Sequence, residues 1–190
     1  MKYNLSEITE VIKNRRTIYP EQYSDRSIHK EIVEDVLKNG VWAPTHGKTQ
    51  PWRFKVMHST ESRINLGTFL SEKYKKTTST FSDFKYKRIQ EKTTKSGCII
   101  VICMQRDEQE SIPEWEEIAA TAMAVQNMWL VCSEMGVGCY WSSPSQIKFM
   151  NEFFKLNTGE KCLGLLYMGN YDESPEAWQR TPIKKKTQWF

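Results

Sequence analysis

Apolar residues recur at helical spacing in the first forty residues of the chain and predict two amphipathic helices. The first helix repeats Leu5, Ile8, Val11 and Ile12. Asn4 and Glu7 form a capping-box pattern at its start, and an arginine pair follows its end. The second helix repeats Ile28, Ile32, Val36 and Leu37. Asp25 or Ser27 can cap its start, and Gly40 ends it.

Short apolar segments further along the chain predict strands. They lie at about 52–57, at 97–104, after the turn Gly136–Gly138 as far as Trp141, and at 162–168. The run at 97–104 is apolar without interruption, as in a strand that is buried on both faces. The polar region 60–95 predicts two helices with a break at 77–80, which would form a lid or a flank of the sheet.

A long helix is predicted from Glu114 to Met135, and its capping box would be Ser111 with Glu114, with Pro113 in the first turn. One apolar face comprises Ile118, Ala122, Val125, Trp129 and Cys132, and this face is widened by Ala119, Met123, Leu130 and Val131. A helix that is apolar most of the way round must be buried on several sides. It is either a central core helix or a helix packed on both its own sheet and a second subunit. An amphipathic helix at 145–155 and an irregular tail at 170–190 follow.

Length and charge narrow the classes of protein. At 190 residues the chain is expected to form one domain over 1–190, with 170–190 as a C-terminal tail. A chain of this size buries about 70% of its unfolded surface and needs no disulfide or metal. The net charge of +4 is too small to indicate a nucleic-acid partner, although a mild positive field favours anionic ligands.

The cysteines and the N-terminus indicate a reducing compartment. The cysteines have no CxxC spacing, and most lie in apolar segments: Cys98, Cys103, Cys132, Cys139 and Cys162. This pattern is typical of buried free thiols. The N-terminal residues are polar and soon helical rather than a signal peptide, and no apolar run approaches the roughly 18 residues of a membrane span. We therefore expect a cytoplasmic protein.

The segment 41–54 carries the most chemistry. It places two prolines, a glycine, a histidine, a lysine, a glutamine and two tryptophans between a predicted helix and a predicted strand. Such a loop can present donors and flat rings to a planar ligand with polar edges. Upstream, Arg15, Arg16 and Thr17 follow the first helix, and their guanidiniums and hydroxyl suit a phosphate. From these residues alone, a solvated arginine pair favoured by the helix dipole explains them better.

Other common chemistries leave no motif in the sequence. There is no GxSxG, no GxGxxG after a strand, no Walker loop and no HExxH. The histidines His29, His46 and His58 are scattered without the spacing of metal ligands. No metal site is therefore expected.

The two elements, in this order, resemble those of the FMN-dependent nitroreductase family. Arg15-Arg16-Thr17 is similar to the family's Arg-Arg-Ser/Thr, and Ala43-Pro44-Thr45 followed by Gln50-Pro51-Trp52 is similar to its Ala-Pro-Ser-type loop. The segment 136–143 resembles the family's Gly-x-Gly turn and the strand beside the isoalloxazine, and 163–169 resembles its last core strand. The resemblance spans nearly the whole chain.

The resemblance implies an α+β fold in three layers, with a central, mostly antiparallel sheet flanked by helices. It implies a homodimer with central helices at the interface and FMN bound there. The activity implied is a flavin oxidoreductase that takes electrons from NADH or NADPH and reduces a nitroaromatic, a quinone or a similar small acceptor by a ping-pong mechanism. The cofactor carries such chemistry, so no catalytic side chain is assigned. Neither a nucleic acid nor a membrane is implied as a partner.

The resemblance assigns cofactor contacts in four segments. The residues are Arg15, Arg16 and Thr17, then Trp42, Pro44, Thr45, His46 and Gln50, then Trp141, Ser142 and Ser143, and finally Arg180 in the tail. Arg15 and Thr17 are expected at the FMN phosphate or ribityl chain, and Arg180 at the phosphate. Lys48 stands where the family often has Asn.

The remaining assigned residues would surround the flavin ring. Gln50 can hydrogen-bond a flavin carbonyl or the ribityl chain, or it can simply end the loop. His46 is either a surface histidine or a contact to flavin or substrate from the partner subunit. Trp141 is equally compatible with a core ring and with a flavin contact through its backbone. Ser142 and Ser143 could donate N–H groups near the flavin N5 and O4.

Two alternatives belong to other classes of protein. One is a flavin-binding sensor or storage protein that does not turn over. The other is a basic RNA-binding domain, favoured by the positive charge and the many aromatic rings, but the basic residues alternate with acidic ones and no RNA-binding motif occurs. The sequence does not distinguish NADH from NADPH or identify the physiological acceptor.

Overall fold

The structure, a computed structural model, describes residues 5–190, so the predicted capping role of Asn4 lies outside the described residues. The α-helices are α1 (Leu5–Asn14), α2 (Lys30–Gly40), α3 (Thr60–Thr77), α4 (Asp83–Lys95), α5 (Glu114–Glu134) and α6 (Met150–Phe154). The strands are β1 (Trp52–Met57), β2 (Cys98–Gln105), β3 (Val137–Ser142) and β4 (Glu160–Asn170). Short 3₁₀ turns lie at Pro20–Gln22, His46–Lys48, Ser145–Phe149 and Ile183–Lys185.

The strands form one antiparallel sheet in the order β1-β2-β4-β3. The sheet has a hydrophobic core on each face, and successive side chains of β2 pack in one core and then the other, because side chains alternate across a strand. Ile100 and Ile102 pack in the core shared with α2 and α5, whereas Ile99 and Val101 pack in the core shared with α3 and α6. The predicted α+β fold with three layers and an antiparallel sheet is confirmed, and so is the burial of β2 on both faces.

The predicted cap of α2 is wrong. The helix begins at Lys30, and its N-cap is His29, which has extended backbone and makes no capping hydrogen bond through its side chain. Asp25 and Ser27 lie too early in the chain to cap it. At the other end, Gly40 is the last helical residue, as predicted. A Cβ there would lie 2.9 Å from Cγ of Met128, so the glycine lets α2 pack closely on α5.

The predicted capping box of α5 is also wrong. Pro113 is the N-cap and lies outside the first turn. The hydroxyl of Ser111 donates to Asp107 Oδ2 at 2.6 Å, and Glu114 pairs with Lys161. Both members of the expected box are thus held by other partners. The helix predicted at 145–155 is a 3₁₀ turn continued by α6, and both elements end before Lys155, a left-handed residue.

The long helix α5 buries a narrower face than the pattern of apolar residues predicted. Its buried residues are Glu117, Ala120, Thr121, Ala124, Val125, Met128 and Cys132. Of the predicted apolar residues, Ile118 is 38% and Met123 is 40% exposed. Trp115, in the first turn, is 67% exposed. One face of α5 therefore packs in the core, while a second apolar strip remains at the surface of the chain.

All five cysteines are free thiols; four are buried and Cys162 is half-buried, which confirms the prediction of buried free thiols. Burial raises the pKa of Cys98 to about 12. A hydrogen bond with Cys162, together with burial, raises the pKa of Cys103. Among the described residues no group of three or more His, Cys, Asp or Glu is placed to hold a metal ion. No helix within residues 5–190 is long and apolar enough to cross a membrane.

Candidate functional site

The segment that follows α1 lies along the free edge of β3. The amide of Ile18 donates to the carbonyl of Cys139 at 3.1 Å, which fixes the segment against the strand. Gly138 makes this approach possible, since a Cβ there would lie 2.7 Å from Cβ of Ile18. The predicted phosphate-binding residues therefore sit on a backbone that is held by the sheet.

Helix α5 holds the two arginines of this segment. The guanidinium of Arg15 lies 4.8 Å from the ring centroid of Trp129, and the indole N–H of Trp129 donates to the carbonyl of Arg16 at 3.1 Å. Trp129 was predicted only as part of an apolar face. Its contacts make it the residue that orients the arginine pair, which sequence spacing alone did not indicate.

These arginines line a cavity of about 640 Å³ together with the C-terminal tail. Its lining residues are Ile12, Lys13, Arg15, Arg16, Thr17, Pro175, Glu176, Ala177, Trp178 and Arg180. The structure therefore brings Arg180 to the cavity of Arg15–Thr17, although the two segments are at opposite ends of the chain.

The cavity concentrates positive charge without a matching carboxylate. Burial and the nearby guanidiniums of Arg180 and Arg16 lower the pKa of Arg15. No ion pair of these arginines occurs among the described residues; Glu176 lines the cavity but is exposed and unpaired. The Nε of Arg16 is buried without a hydrogen-bond partner. A buried donor without an acceptor is costly, so the cavity is chemically suited to an anion with several oxygens.

The loop after α2 is held in a compact, partly left-handed conformation. The hydroxyl of Thr45 accepts from the amide of Gln50 at 3.2 Å and lies 3.2 Å from the hydroxyl of Thr49. Gly47, Lys48 and Gln50 have φ of +57°, +57° and +45°. Non-glycine residues in this region are strained, and such strain clusters at binding sites.

The same loop is anchored to the start of α5. His46 Nδ1 lies 2.5 Å from Oε2 of Glu116, so His46 has a partner within its own chain. A shallow hollow of about 370 Å³ here is lined by Pro44, Thr45, His46, Trp115, Glu116, Ala119, Ala120 and Met123. Trp42 is 83% exposed beside the loop. This part of the site faces outward and is uncovered in the single chain.

The loop and the arginine cavity lie apart within one chain. The loop contacts α5 at Glu116, whereas the arginine pair contacts it at Trp129, and 129 − 116 is 13 residues. At 1.5 Å per residue the two contact points are separated by about 20 Å along the helix. Within one chain the predicted site residues therefore fall into two separate groups, one near either end of α5.

Trp141 and the two serines lie at the far end of β3. The indole of Trp141 packs against the core and crosses Gly164, where a Cβ would come within 2.2 Å of the indole nitrogen. The indole of Trp141 is therefore part of the core, and only the backbone of this residue could contact a ligand. Ser142 pairs with Leu165 in the sheet, and Ser143 is exposed. Ser142 lies about 10 Å along β3 from Cys139, the residue whose carbonyl holds the arginine segment.

Comparison with known proteins identifies relatives over nearly the full length. The model of the Nitroreductase family matches residues 12–170. The Putative NAD(P)H nitroreductase YfhC of Bacillus subtilis is 27% identical over 183 residues, which is 95% of this chain and 93% of that protein. The Putative NAD(P)H nitroreductase YdjA of Escherichia coli K12 is 25% identical over 162 residues, which covers 84% and 86%.

Solved structures show the same fold. A nitroreductase-like family protein from Bacillus cereus has a TM-score of 0.83 and 28% identity, with coverage of 100% of this chain and 98% of that one. A Desulfovibrio desulfuricans protein, described as a putative nitroreductase in complex with FMN, has a TM-score of 0.76 and 21% identity, with coverage of 100% and 98%.

Proposed function

Because the chain belongs to the nitroreductase family, an oxidoreductase family, we propose that it binds FMN and uses NADH or NADPH to reduce a small acceptor such as a nitroaromatic or a quinone. The observation that carries this proposal is the cavity of Arg15, Arg16 and Arg180, which gathers guanidiniums without a carboxylate partner. The FMN complex of the Desulfovibrio relative supports the choice of cofactor.

The residues of the cavity fit a flavin phosphate. The guanidiniums of Arg15 and Arg180 would balance its charge, and the unpartnered Nε of Arg16 would gain an acceptor. The hydroxyl of Thr17 makes no hydrogen bond within residues 5–190 and is free to donate. FMN supplies the hydride chemistry when it is bound. The task of this chain is to hold the cofactor, orient it and exclude water.

We propose that the flavin ring lies between two subunits of a homodimer. The support is the apolar surface that the single chain leaves exposed: Leu5, Ile8 and Ile12 on α1, Trp42 in the loop, and Trp115, Ile118 and Met123 on α5. Exposed apolar side chains that form a patch mark an interaction site. A second copy would cover it and would bring its loop 42–50, with Trp42, Pro44, Thr45, His46 and Gln50, to the arginine cavity, while the backbone of Trp141–Ser143 would meet the ring.

A mixed dimer tests the composite site. One subunit carries Arg15→Ala, and the other carries changes at His46 and Gln50. When both lesions fall in one composite site, the other site is intact and about half of the activity survives. A protein that sediments as a monomer with full FMN occupancy would contradict this arrangement.

The absorption spectrum before and after anaerobic addition of NADH or NADPH tests the activity. We expect a yellow protein that is bleached by the nicotinamide and regains its colour when a quinone is added, with ping-pong kinetics at steady state. A yellow protein that is not bleached would be a flavin-binding sensor or storage protein. A colourless protein with salt-dependent RNA affinity would refute flavin binding altogether.

The identity of the cofactor is tested separately. Cofactor released by heat and separated by chromatography is expected to be FMN, because the arginine cavity would hold a single phosphate and the sequence contains no adenosine-binding motif. Recovery of FAD would contradict the proposal. We also propose a cytoplasmic location, in keeping with five free thiols.

A further inference from the structure

A second cavity, of about 520 Å³, opens between α4 and the turn that follows β3. Its lining residues are Ser82, Phe84, Lys85, Arg88, Ile89, Lys92, Pro144 and Gln146. Pro144 directly follows Ser143, the last residue assigned to the flavin. The cavity therefore begins where the proposed cofactor site ends, and none of its lining residues has a role in that site.

Gln146 is the feature of this cavity that indicates a ligand. The residue is only 6% exposed, yet its side chain makes no hydrogen bond among the described residues. Its amide atoms are not among the fully buried side-chain atoms that lack a partner, so they remain accessible from the cavity. Because Gln146 lines the cavity, a ligand there could satisfy it.

The helix side of the cavity is cationic. Lys85, Arg88 and Lys92 are three and four residues apart, so they share one face of α4. The carboxylate of Glu21 pairs with Arg88 at 3.0 Å and also feels the charge of Lys92, whereas Lys85 has no acidic partner among the described residues. The ammonium of Lys92 lies 5.1 Å from the ring centroid of Tyr140 on β3.

The same cavity offers apolar surface for a ring. Phe84 is 73% exposed at its rim, Ile89 is half-buried, and Pro144 closes the opposite side. Apolar walls with a few convergent polar groups are the usual composition of a small-molecule site. Here the polar groups are a carboxamide and a row of cations, which together select an anionic ligand.

We propose that this cavity binds the anionic group of a planar aromatic substrate, with Gln146 donating to it and Lys85 and Lys92 supplying the positive field. This inference rests on the proposed function, since the substrate would extend from the flavin into the cavity. The group belongs either to the acceptor, as a carboxylate or sulfonate, or to the nicotinamide nucleotide, as a phosphate. The shared chemistry is a ring with a pendant anion.

The test compares two acceptors of nearly the same shape, p-nitrobenzoate and the neutral p-nitrobenzamide. The double variant Lys85→Gln/Lys92→Gln is expected to raise the KM for p-nitrobenzoate about five- to tenfold, which is less than a buried charged hydrogen bond would give, because the lysines are partly solvated. The KM for p-nitrobenzamide should change less than twofold. Lys75→Gln removes a charge from α3 and does not line the cavity, so it serves as the matched control.

Gln146→Glu provides an independent variant. A carboxylate at this position repels an anion, so the KM for p-nitrobenzoate should rise more than tenfold while neutral menadione is reduced as in wild type. Calorimetric titration of p-nitrobenzoate into the oxidised protein measures its affinity without turnover. Wild type should bind it most tightly, the double lysine variant less tightly and Gln146→Glu least. Melting curves confirm that each variant is folded.

The outcomes distinguish the two sources of the anion, and they distinguish failure of the cavity inference from failure of the proposed function. If the variants instead raise the KM for NADPH or NADH, the cavity holds a nucleotide phosphate. If every KM and calorimetric affinity of the variants stays within twofold of wild type while menadione is still reduced, the cavity inference is wrong and the proposed function stands. If wild type reduces no acceptor, the function fails, and the calorimetric comparison still decides whether the cavity binds the anion.

Discussion

Replacing Arg15 by Ala separates flavin binding from folding. In the structure the Arg15 guanidinium rests on the ring of Trp129 and lies near the guanidiniums of Arg16 and Arg180. Removing it costs the stacking interaction, worth about 0.5–1 kcal/mol at an exposed site. It also removes the repulsion among three like charges. These two effects oppose one another, so the free energy of unfolding of the apoprotein should change by less than about 1 kcal/mol.

The loss in cofactor affinity should be much larger. A hydrogen bond to a charged group contributes about 1.5–3 kcal/mol, and each 1.4 kcal/mol is a factor of about ten. The dissociation constant of FMN should therefore rise about ten- to more than a hundredfold. Arg15→Lys keeps the charge but loses the planar fork that meets two phosphate oxygens, so its effect should be intermediate.

The assay is titration of apoprotein with FMN, followed by quenching of flavin fluorescence, alongside urea unfolding of each apoprotein. Arg26→Ala is the matched control, because Arg26 is a surface arginine paired with Asp172 outside the arginine cavity. If Arg15→Ala binds FMN as tightly as wild type, the phosphate site lies elsewhere. If the variant unfolds several kcal/mol more easily, the arginine is structural and the reasoning fails.

Four further substitutions test the scaffold around the site. Gly138→Ala should weaken FMN binding in a flavin titration, because its Cβ would lie 2.7 Å from Ile18 and displace the arginine segment. Gly136→Ala is the control, since this glycine has open space around it but a φ of +69°. It should lower the free energy of unfolding in urea by about 1 kcal/mol and leave the FMN affinity unchanged. Lys48→Asn should raise the free energy of unfolding by up to about 1 kcal/mol in urea titrations, because Asn tolerates φ of +57° better than Lys; an unchanged midpoint would contradict this. Arg106→Met should lower that free energy, since it removes the cation that pairs with Glu117 of α5 and leaves this buried carboxylate only the amide of Asp107 as a donor; an unchanged urea midpoint would contradict this.

The sequence predicted the elements whose signals are local and strong. The uninterrupted apolar run of β2 and the helical repeat of α2 required no knowledge of distant residues. The run of β2 was confirmed, and so was the repeat from Ile32 to Leu37, whereas Ile28 precedes the helix. The predicted capping box of α5 failed because capping depends on competition among side chains. Ser111 hydrogen-bonds Asp107 rather than the first turn of α5, and nothing in the spacing of Ser111 and Glu114 reveals that preference.

The sequence supplied candidate site residues by type, but it did not supply their arrangement. That Arg180 lies in the cavity of Arg15 depends on the path of the tail, and residue spacing does not encode that path. Trp141 rests on Gly164 only because β3 and β4 pair in one register. Gln146 gave no signal at all, because an unsatisfied carboxamide can be recognised only once its surroundings are known.

The buried free thiols allow transient opening of the core to be measured by chemical labelling. Alkylating reagents attack the thiolate of an accessible cysteine, and burial raises the pKa of Cys98 to about 12 and that of Cys139 well above its usual range. In the native state these thiols react only when the core transiently exposes them, so labelling at high reagent concentration measures the frequency of that event. A ligand that binds only the folded protein slows the labelling, so the labelling rate measures how much the proposed flavin stabilises the folded structure.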